Sequence, residues 1–517
     1  MKLFTGEIKT SRSVLICMFT AIIAAGCFYV PYLAFIIWLI PIPAFCLLFS
    51  DISFKKAIGL SSAFVFTFYF VSYMVGFTID VGFSKPVMLL IDLAIICAAS
   101  ILQGVPQLIA LVAGVRLKVP ACARALAIAA FWTFGEWLTT IGAFAFPVRI
   151  LSVTQWKFPV LIASSSVFGG LFITFLIVLF AAFIAQFLCK TGKKNGLGYL
   201  TAGLIVFVAN LTFGIVYLQI DLQSSGEMRI AAVQHNVQTT EDDYTRFNTA
   251  FNMTQEALKN DNVDVIVMPE STAQFLRERD SMKEQLSGLA IENSADIIVG
   301  GVNDPNVGSS LSDSSEGSGL VNLGEGKDED FILENAVHLI NAQGELEEDY
   351  YVKQKLVPFF ENGTIMPFTF FLGNERGVFP TSVGKAGIIV CFESILPETV
   401  RDTVREGAEI ILEPCNDAYL GHEIRKMHFS QMIFRAMETG RTIVQATTNG
   451  ITGAVSPDGE TLSIPMDVEE VMLFDAKLYD HNTPYVIMGE IWIFVLSGFC
   501  VLYAIYLRMK KKHSQSN

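Results

Sequence analysis

The stretch KAGIIVCFES, residues 385–394, passes from a lysine through a continuous apolar run to Cys391, then to Phe392 and the polar Glu393 and Ser394. A short apolar run between polar residues reads as a buried strand. The thiol then falls at the carboxyl end of that strand, where open α/β sheets present their reactive groups. Similar runs occur at MRIAAVQ (228–234), DVIVMPE (264–270), ADIIVGGV (295–302), AVHLINAQ (336–343), AEIILEPC (408–415) and RTIVQATTN (441–449). Amphipathic patterns over 242–260, 275–292, 396–407 and 422–439 predict helices between them. Strands buried on both faces and alternating with helices indicate an α/β domain whose helices cover its sheets. The Gly/Ser/Asp/Glu-rich stretch 303–330 is read as a solvated insertion without a core of its own.

On either side of this domain the composition changes. Apolar residues make up 52% of the 517-residue chain, and the mean hydropathy is +0.48, too apolar for an average soluble protein. They concentrate before residue 220 and return near residue 484. A membrane span needs about 20 mostly apolar residues. Eight runs qualify, at about 13–30, 32–50, 57–79, 87–115, 124–147, 158–188, 198–219 and 485–507. The expected organisation is a seven-span membrane domain over 1–223, an α/β domain over 224–482, and a closing span with a basic tail over 483–517.

With eight spans, Lys2, Lys9, Arg12, Lys55, Lys56, Arg116, Lys118, Arg124, Lys190, Lys193, Lys194 and the basic tail Arg508–Lys512 all fall on one side. The positive-inside rule makes that side cytoplasmic, which turns the α/β domain outward. Glu136, within FWTFGEWL (131–138), is costly at membrane depth and is a candidate for a functional or interfacial role. The formal charge of −14 is concentrated in the α/β domain, and no basic stripe with interleaved aromatics accompanies it. Nucleic acid is therefore not expected as a partner.

Seven of the nine cysteines lie in or beside apolar runs, which leaves Cys391 and Cys415 in the α/β domain. Two cysteines make no disulfide framework. Glu270 closes the run DVIVMPE, and Lys353 sits in YVKQKLVPF (351–359). A carboxylate whose pKa is raised by burial can take the proton of a thiol. A cation beside the developing oxyanion can stabilise a tetrahedral intermediate. Glu, Lys and Cys are thus chemically sufficient for acyl transfer. The histidines His235, His338, His422, His428 and His481 stand in no recognisable Cys–His pattern, so none is expected to be the base.

In order along the chain, PES (269–271), YxKxxLVPF (351–359), CFES (391–394), NDAYLG (416–421) and RAMETGRTIVQATTNGITG (435–453) resemble the nitrilase superfamily. Within it the chain is similar to its membrane-embedded branch, the apolipoprotein N-acyltransferases, which also carry a segment like FWTFGEWL. The resemblance implies an αββα sandwich, with Glu270 as general base, Lys353 stabilising the oxyanion and Cys391 as nucleophile. It implies supporting roles for Glu361 and Glu393, and site-shaping roles for Phe392, Tyr351 and Asn416–Asp417. It calls for no cofactor and no metal. The implied acyl donor is a phospholipid, typically phosphatidylethanolamine, and the implied acceptor is a diacylated apolipoprotein. The implied setting is a monomer in the bacterial inner membrane, with its catalytic domain on the periplasmic side. Phe360, Phe392, Tyr419–Leu420 and Cys415 depart from the usual pattern without removing a catalytic group. A tethered amidase that hydrolyses a small amide would use the same triad and is the alternative expectation.

Overall fold

The computed structural model describes residues 9–50, 52–76, 78, 84–189, 196–238, 241–304, 332–363, 369–375 and 377–516. Two compact units emerge. One comprises residues 1–77, 85–221 and 487–517, and the other comprises 78–84 and 222–486.

The first unit is helical. Among the described residues, six segments are long and apolar enough to cross a membrane: Pro31–Leu48, Phe54–Met74, Lys85–Arg116, Leu171–Cys189, Gly196–Tyr217 and Ile491–Ser514. Thr10–Gly26 is a shorter apolar helix, and Ala121–Leu138 carries Glu136. Six of the eight expected spans overlap one of these six segments, and the expected spans 13–30 and 124–147 correspond to Thr10–Gly26 and Ala121–Leu138; two of the six are not one continuous α-helix. Residues 31–48 form a 3-10 segment, Pro31–Trp38, followed by the α-helix Ile42–Leu48. Pro31, Pro41 and Pro43 each withhold a backbone donor there and so break a continuous α-helix. The predicted span 158–188 is also divided, into Pro159–Ile162, Ser165–Phe168 and Leu171–Cys189, with Gly169 at φ +80° at the break.

The closing helix packs within this unit. Phe494 meets Trp137 edge-on at 4.5 Å, and the Trp492 indole donates to the Phe168 carbonyl over 2.7 Å. Glu136 is fully buried, and its carboxylate accepts from Trp132 Nε1 (3.1 Å), the Leu151 amide (3.0 Å) and Thr174 Oγ1 (2.7 Å). These donors tie three segments together and satisfy the buried carboxylate.

The second unit stacks two sheets. Its strands are β1 (Gly226–Gln234), β2 (Val265–Met268), β3 (Asp296–Asn303), β4 (Ile332–Ile340), β5 (Tyr351–Val352), β6 (Thr369–Phe370), β7 (Gly377–Pro380), β8 (Lys385–Ile388), β9 (Ile410–Cys415), β10 (Thr442–Thr447), β11 (Gly453–Val455), β12 (Thr461–Ser463) and β13 (Glu470–Leu478). The first sheet runs β13-β1-β2-β3-β4-β5, with β6 beside β4, and the second runs β12-β11-β10-β9-β8-β7. The central strands of each are parallel, β1 with β2 and β3, and β8 with β9 and β10. Their reactive ends therefore point the same way within each sheet. Apolar side chains alternating along both inner faces, among them Ile230, Val267, Ile298, Ile388, Leu412 and Val444, form the core between the sheets.

Helices α1 (Asp243–Ala257) and α2 (Asp280–Asn293) cover the outer face of the first sheet, and α3 (Pro397–Arg405) and α4 (His422–Thr439) cover the second. Asp242 caps α1 by accepting from the Thr245 amide at 2.9 Å, and Gly440 ends α4 in the left-handed region that glycine tolerates. The architecture is the αββα sandwich expected. The sequence reading lacked β5 to β7 and β11 to β13, which are either two to four residues long or, like β13, alternate in burial rather than running apolar throughout. Most of the acidic insertion falls outside the described residues.

Candidate active site

Three turns at strand ends build the site, and each contains a non-glycine residue at positive φ: Ser271 (64°) after Glu270, Phe359 (71°) between Lys353 and Glu361, and Cys391 itself (49°). Such residues cost energy that the surrounding packing must meet, and they cluster where geometry is functionally constrained.

Glu270 follows β2 and is 6% exposed. Its turn crosses β3 so closely that a Cβ on Gly300 would stand 2.6 Å from Glu270 Cα, and one on Gly301 would stand 2.1 Å from the Ala273 carbonyl oxygen. The adjacent glycines of VGGV are thus what lets the backbone bearing Glu270 lie against the sheet. The Ala273 amide donates to the Gly300 carbonyl at 3.0 Å and fixes that approach.

Lys353 follows β5 and is 1% exposed. Antiparallel pairing of β4 with β5 sets Asn335 beside it, and the Lys353 amide donates to the Asn335 carbonyl at 2.9 Å. The ammonium donates to Glu361 Oε1 at 2.8 Å and lies 3.4 Å from Glu270 Oε1. Asn335 Nδ2 donates to the same Glu270 oxygen at 2.6 Å and reaches Glu361 Oε1 at 3.4 Å. Burial works against the ammonium, but Glu270, Glu361 and then Cys391 outweigh it and hold the Lys353 pKa well above its ordinary value. Burial pushes the Glu361 carboxyl upward against the opposing pull of Lys353. Glu361 also accepts from the Val357 amide at 2.7 Å, which closes the turn between them.

Cys391 opens a 3-10 turn, Cys391–Ile395, directly after β8 and is partly exposed. Glu393 anchors that turn. Its carboxylate accepts from the amides of Val390 (2.8 Å), Gln354 (2.7 Å) and Lys355 (3.0 Å), and the Tyr351 hydroxyl donates to it from 2.9 Å. Burial raises the Glu393 pKa, and these donors oppose the rise. Tyr351 and Glu393 therefore join the turn bearing the lysine to the turn bearing the cysteine. Phe392 is buried beneath the turn, and Asn416–Asp417 follow β9.

Two groups here escaped the sequence reading. Asn335 bears no motif and joins the carboxylates only through strand register. His428, set aside as a candidate, lies on α4 with Nε2 3.1 Å from the Cys391 carbonyl oxygen and 3.0 Å from Ser394 Oγ. Its Nδ1 is 2.9 Å from Asp417 Oδ1, and Glu413 stands 3.5 Å from Nε2. Burial opposes protonation of the ring, but Asp417, Glu413 and Cys391 raise its pKa well above the usual value. His428 has both ring nitrogens engaged, Nδ1 by Asp417 and Nε2 by Ser394 Oγ and the Cys391 carbonyl. It sits 37 residues beyond the cysteine, too far along the chain for spacing to reveal it.

Residues 229–478 match the carbon-nitrogen hydrolase family model, and residues 20–183 match the apolipoprotein N-acyltransferase N-terminal domain. The chain belongs to the apolipoprotein N-acyltransferase family. Apolipoprotein N-acyltransferase 1 of Treponema denticola is 27% identical over 403 residues, covering 69% of this chain and 72% of that protein. The apolipoprotein N-acyltransferase of Thermotoga maritima is 25% identical over 407 residues, covering 76% of this chain and 73% of its own length. A solved amidase structure from Nesterenkonia sp. is similar over 52% of this chain and 94% of its own, at 18% identity and a TM-score of 0.37. As a member of the apolipoprotein N-acyltransferases with six long apolar helices among its described residues, the chain is a bacterial membrane protein and an acyl-transferring enzyme.

Proposed function

We propose that the chain moves a fatty acyl group from a membrane phospholipid, by way of a Cys391 thioester, to the α-amino group of the diacylglyceryl-cysteine at a lipoprotein N-terminus. The observation that carries this reading is the combination of the Glu270–Lys353–Glu361 cluster, tied through Glu393 to the turn bearing Cys391, with a helical unit apolar enough to be embedded in a membrane.

In the first half-reaction Glu270 takes the thiol proton as the Cys391 sulfur attacks the sn-1 ester carbonyl. The carbonyl oxygen gains negative charge, and the Lys353 ammonium stabilises it. Collapse breaks the ester C–O bond, Glu270 returns the proton to the departing alcohol, and a lysophospholipid leaves. In the second half the acceptor amine attacks the thioester carbonyl, Glu270 takes its proton, and the released thiolate regains one. Glu361 holds Lys353 in place, and Glu393 with Tyr351 holds the turn bearing Cys391.

The donor is proposed to be phosphatidylethanolamine. Phe371 and Leu372 are each more than half exposed and directly precede Gly373, whose amide donates to the Lys353 carbonyl at 3.0 Å. Exposed apolar side chains this close to the lysine suit an acyl chain arriving from a bilayer. The setting is proposed as the inner membrane, with both termini cytoplasmic, the α/β unit periplasmic and the enzyme monomeric. Two lipid-anchored substrates then meet the site at high effective concentration, an advantage that a hydrolase of small amides would not gain from membrane helices.

The test is complementation. In a bacterium depleted of its own enzyme, Cys391→Ala should leave lipoproteins diacylated, whereas the unaltered chain restores the third acyl group. Triacylated lipoprotein at normal levels with Cys391→Ala would refute the assignment.

A further inference from the structure

Behind the nucleophile, Cys415, Asp417 and His428 converge with Cys391. One donor atom from each of the four lies within 4.8 Å of all the others, and Cys415, Asp417 and His428 are buried. Three edges of this group are 3.4 Å (Cys415 Sγ to Asp417 Oδ1), 3.7 Å (Cys415 Sγ to His428 Nδ1) and 2.9 Å (His428 Nδ1 to Asp417 Oδ1). A tetrahedral zinc ion with Zn–S about 2.3 Å and Zn–N or Zn–O about 2.0 Å separates neighbouring ligand atoms by roughly 3.3–3.8 Å. Two edges are already near that range, and the third needs to open by less than about half an ångström.

A second feature is independent of those spacings. The other ring nitrogen of His428, Nε2, lies 3.1 Å from the Cys391 carbonyl oxygen. A histidine that ligates a metal through one nitrogen normally donates its other N–H to a carbonyl or carboxylate, which fixes the ring. His428 is already oriented in that manner, with Nδ1 turned toward the sulfur and the carboxylate. Asp417 also keeps its Oδ2 buried without a hydrogen-bond partner among the described residues.

We propose that Cys391, Cys415, Asp417 and His428 form an inhibitory site for a thiophilic divalent cation of the zinc class. Binding displaces the protons of the two thiols and of His428 Nδ1 and forms Zn–S bonds to both cysteines. The Cys391 sulfur becomes a metal ligand and no longer attacks a carbonyl, and a chelator restores it. No oxidation or reduction is involved. Zinc occupancy depends only on these four side chains, so it holds or fails separately from the identity of the acyl substrates.

The experiment uses the full chain in detergent micelles, stripped with chelator and then titrated with Zn²⁺ against a chromophoric competitor. One Zn²⁺ per chain is expected, with protection of Cys391 from maleimide. Co²⁺ in its place should give a thiolate-to-metal charge-transfer band in the near ultraviolet. Cys415→Ala and, separately, Asp417→Asn should each weaken zinc binding at least tenfold, and Cys415→Ala should diminish the cobalt band. Absence of stoichiometric Zn²⁺ binding by the unaltered chain overturns the proposal. So does binding that Cys415→Ala leaves unchanged, which would place the metal on other cysteines. The first of these results needs no variant to fold.

Discussion

Lys353 lies closer to Glu361 than to Glu270, 2.8 Å against 3.4 Å, with the Glu270 contact buried and the Glu361 contact partly so. Glu361 therefore carries the larger share of the pairing and leaves Glu270 less firmly engaged. A carboxylate that is to take up a proton benefits from a looser tie to a cation, because a close cation disfavours its protonated form. Glu361→Gln should draw Lys353 toward Glu270 and slow acylation of Cys391 by roughly 10²-fold, the lower part of the range for general acid–base effects. Glu270→Gln should cost more. Single-turnover acylation by a phospholipid reads both, and equal losses, or a larger loss for Glu361→Gln, would contradict this division of roles.

Asn335 donates to Glu270 at 2.6 Å and approaches Glu361 at 3.4 Å. Asn335→Leu removes that donor and should leave the two carboxylates competing for Lys353 alone. Loss of a donor to a buried charged group costs about 1–3 kcal/mol, so the acylation rate should fall by roughly tenfold or more. Asn335→Asp places a third carboxylate in the cluster and should be the worse variant. An active Asn335→Asp would show that the donor is dispensable.

Gly300→Ala tests whether the approach of β3 positions Glu270. The added Cβ would meet backbone, Glu270 Cα at 2.6 Å and the Pro269 carbonyl oxygen at 3.0 Å, neither of which can rotate away. Overpacking of this kind costs about 1–3 kcal/mol. Gly288→Ala is the control, since nothing stands within 4 Å of its added carbon. Thermal unfolding and acylation rate should both fall for Gly300→Ala, while Gly288→Ala keeps both.

Acid sensitivity follows from two buried histidines. Burial pushes His338 down to about 3, aided by the charge of Arg277, and pushes His235 down to about 3, aided by Arg246. Each is neutral when folded and protonates in the unfolded chain near pH 6.5. Their contribution to stability is complete above about pH 6.5 and is lost as the pH falls toward 3, since the unfolded state binds more protons there. Each contributes a slope of up to about 1.4 kcal/mol per pH unit. His338→Gln should therefore lose about 2–3 kcal/mol less than the unaltered chain between pH 7 and pH 4.5. Urea unfolding followed by tyrosine near-ultraviolet dichroism measures the difference, and identical pH dependence would contradict it.

What the sequence disclosed and what it hid divide along a physical line. Glu270, Lys353 and Cys391 each close or follow a strand, so local pattern located them. The long apolar runs of β1, β2, β3, β8, β9 and β10 likewise declared a buried sheet core. Asn335 and His428 reach the site through strand register and helix packing, contacts made far along the chain that no local spacing records. Gly300 looks like any strand glycine until the turn of residues 269–274 is laid against it. The second span shows the same limit. Hydropathy reports that residues 31–48 are apolar, but only the prolines indicate that they do not form one α-helix.

The thioester itself is the most direct measure of the proposed chemistry. Purified enzyme incubated with phosphatidylethanolamine, without lipoprotein acceptor, should gain the mass of one fatty acid less water in intact-mass analysis. Hydroxylamine should remove the adduct, peptide mapping should place it on Cys391, and Cys391→Ala should lack it. An enzyme that turns over without any such adduct, or an adduct that persists in Cys391→Ala, would contradict acyl transfer through Cys391.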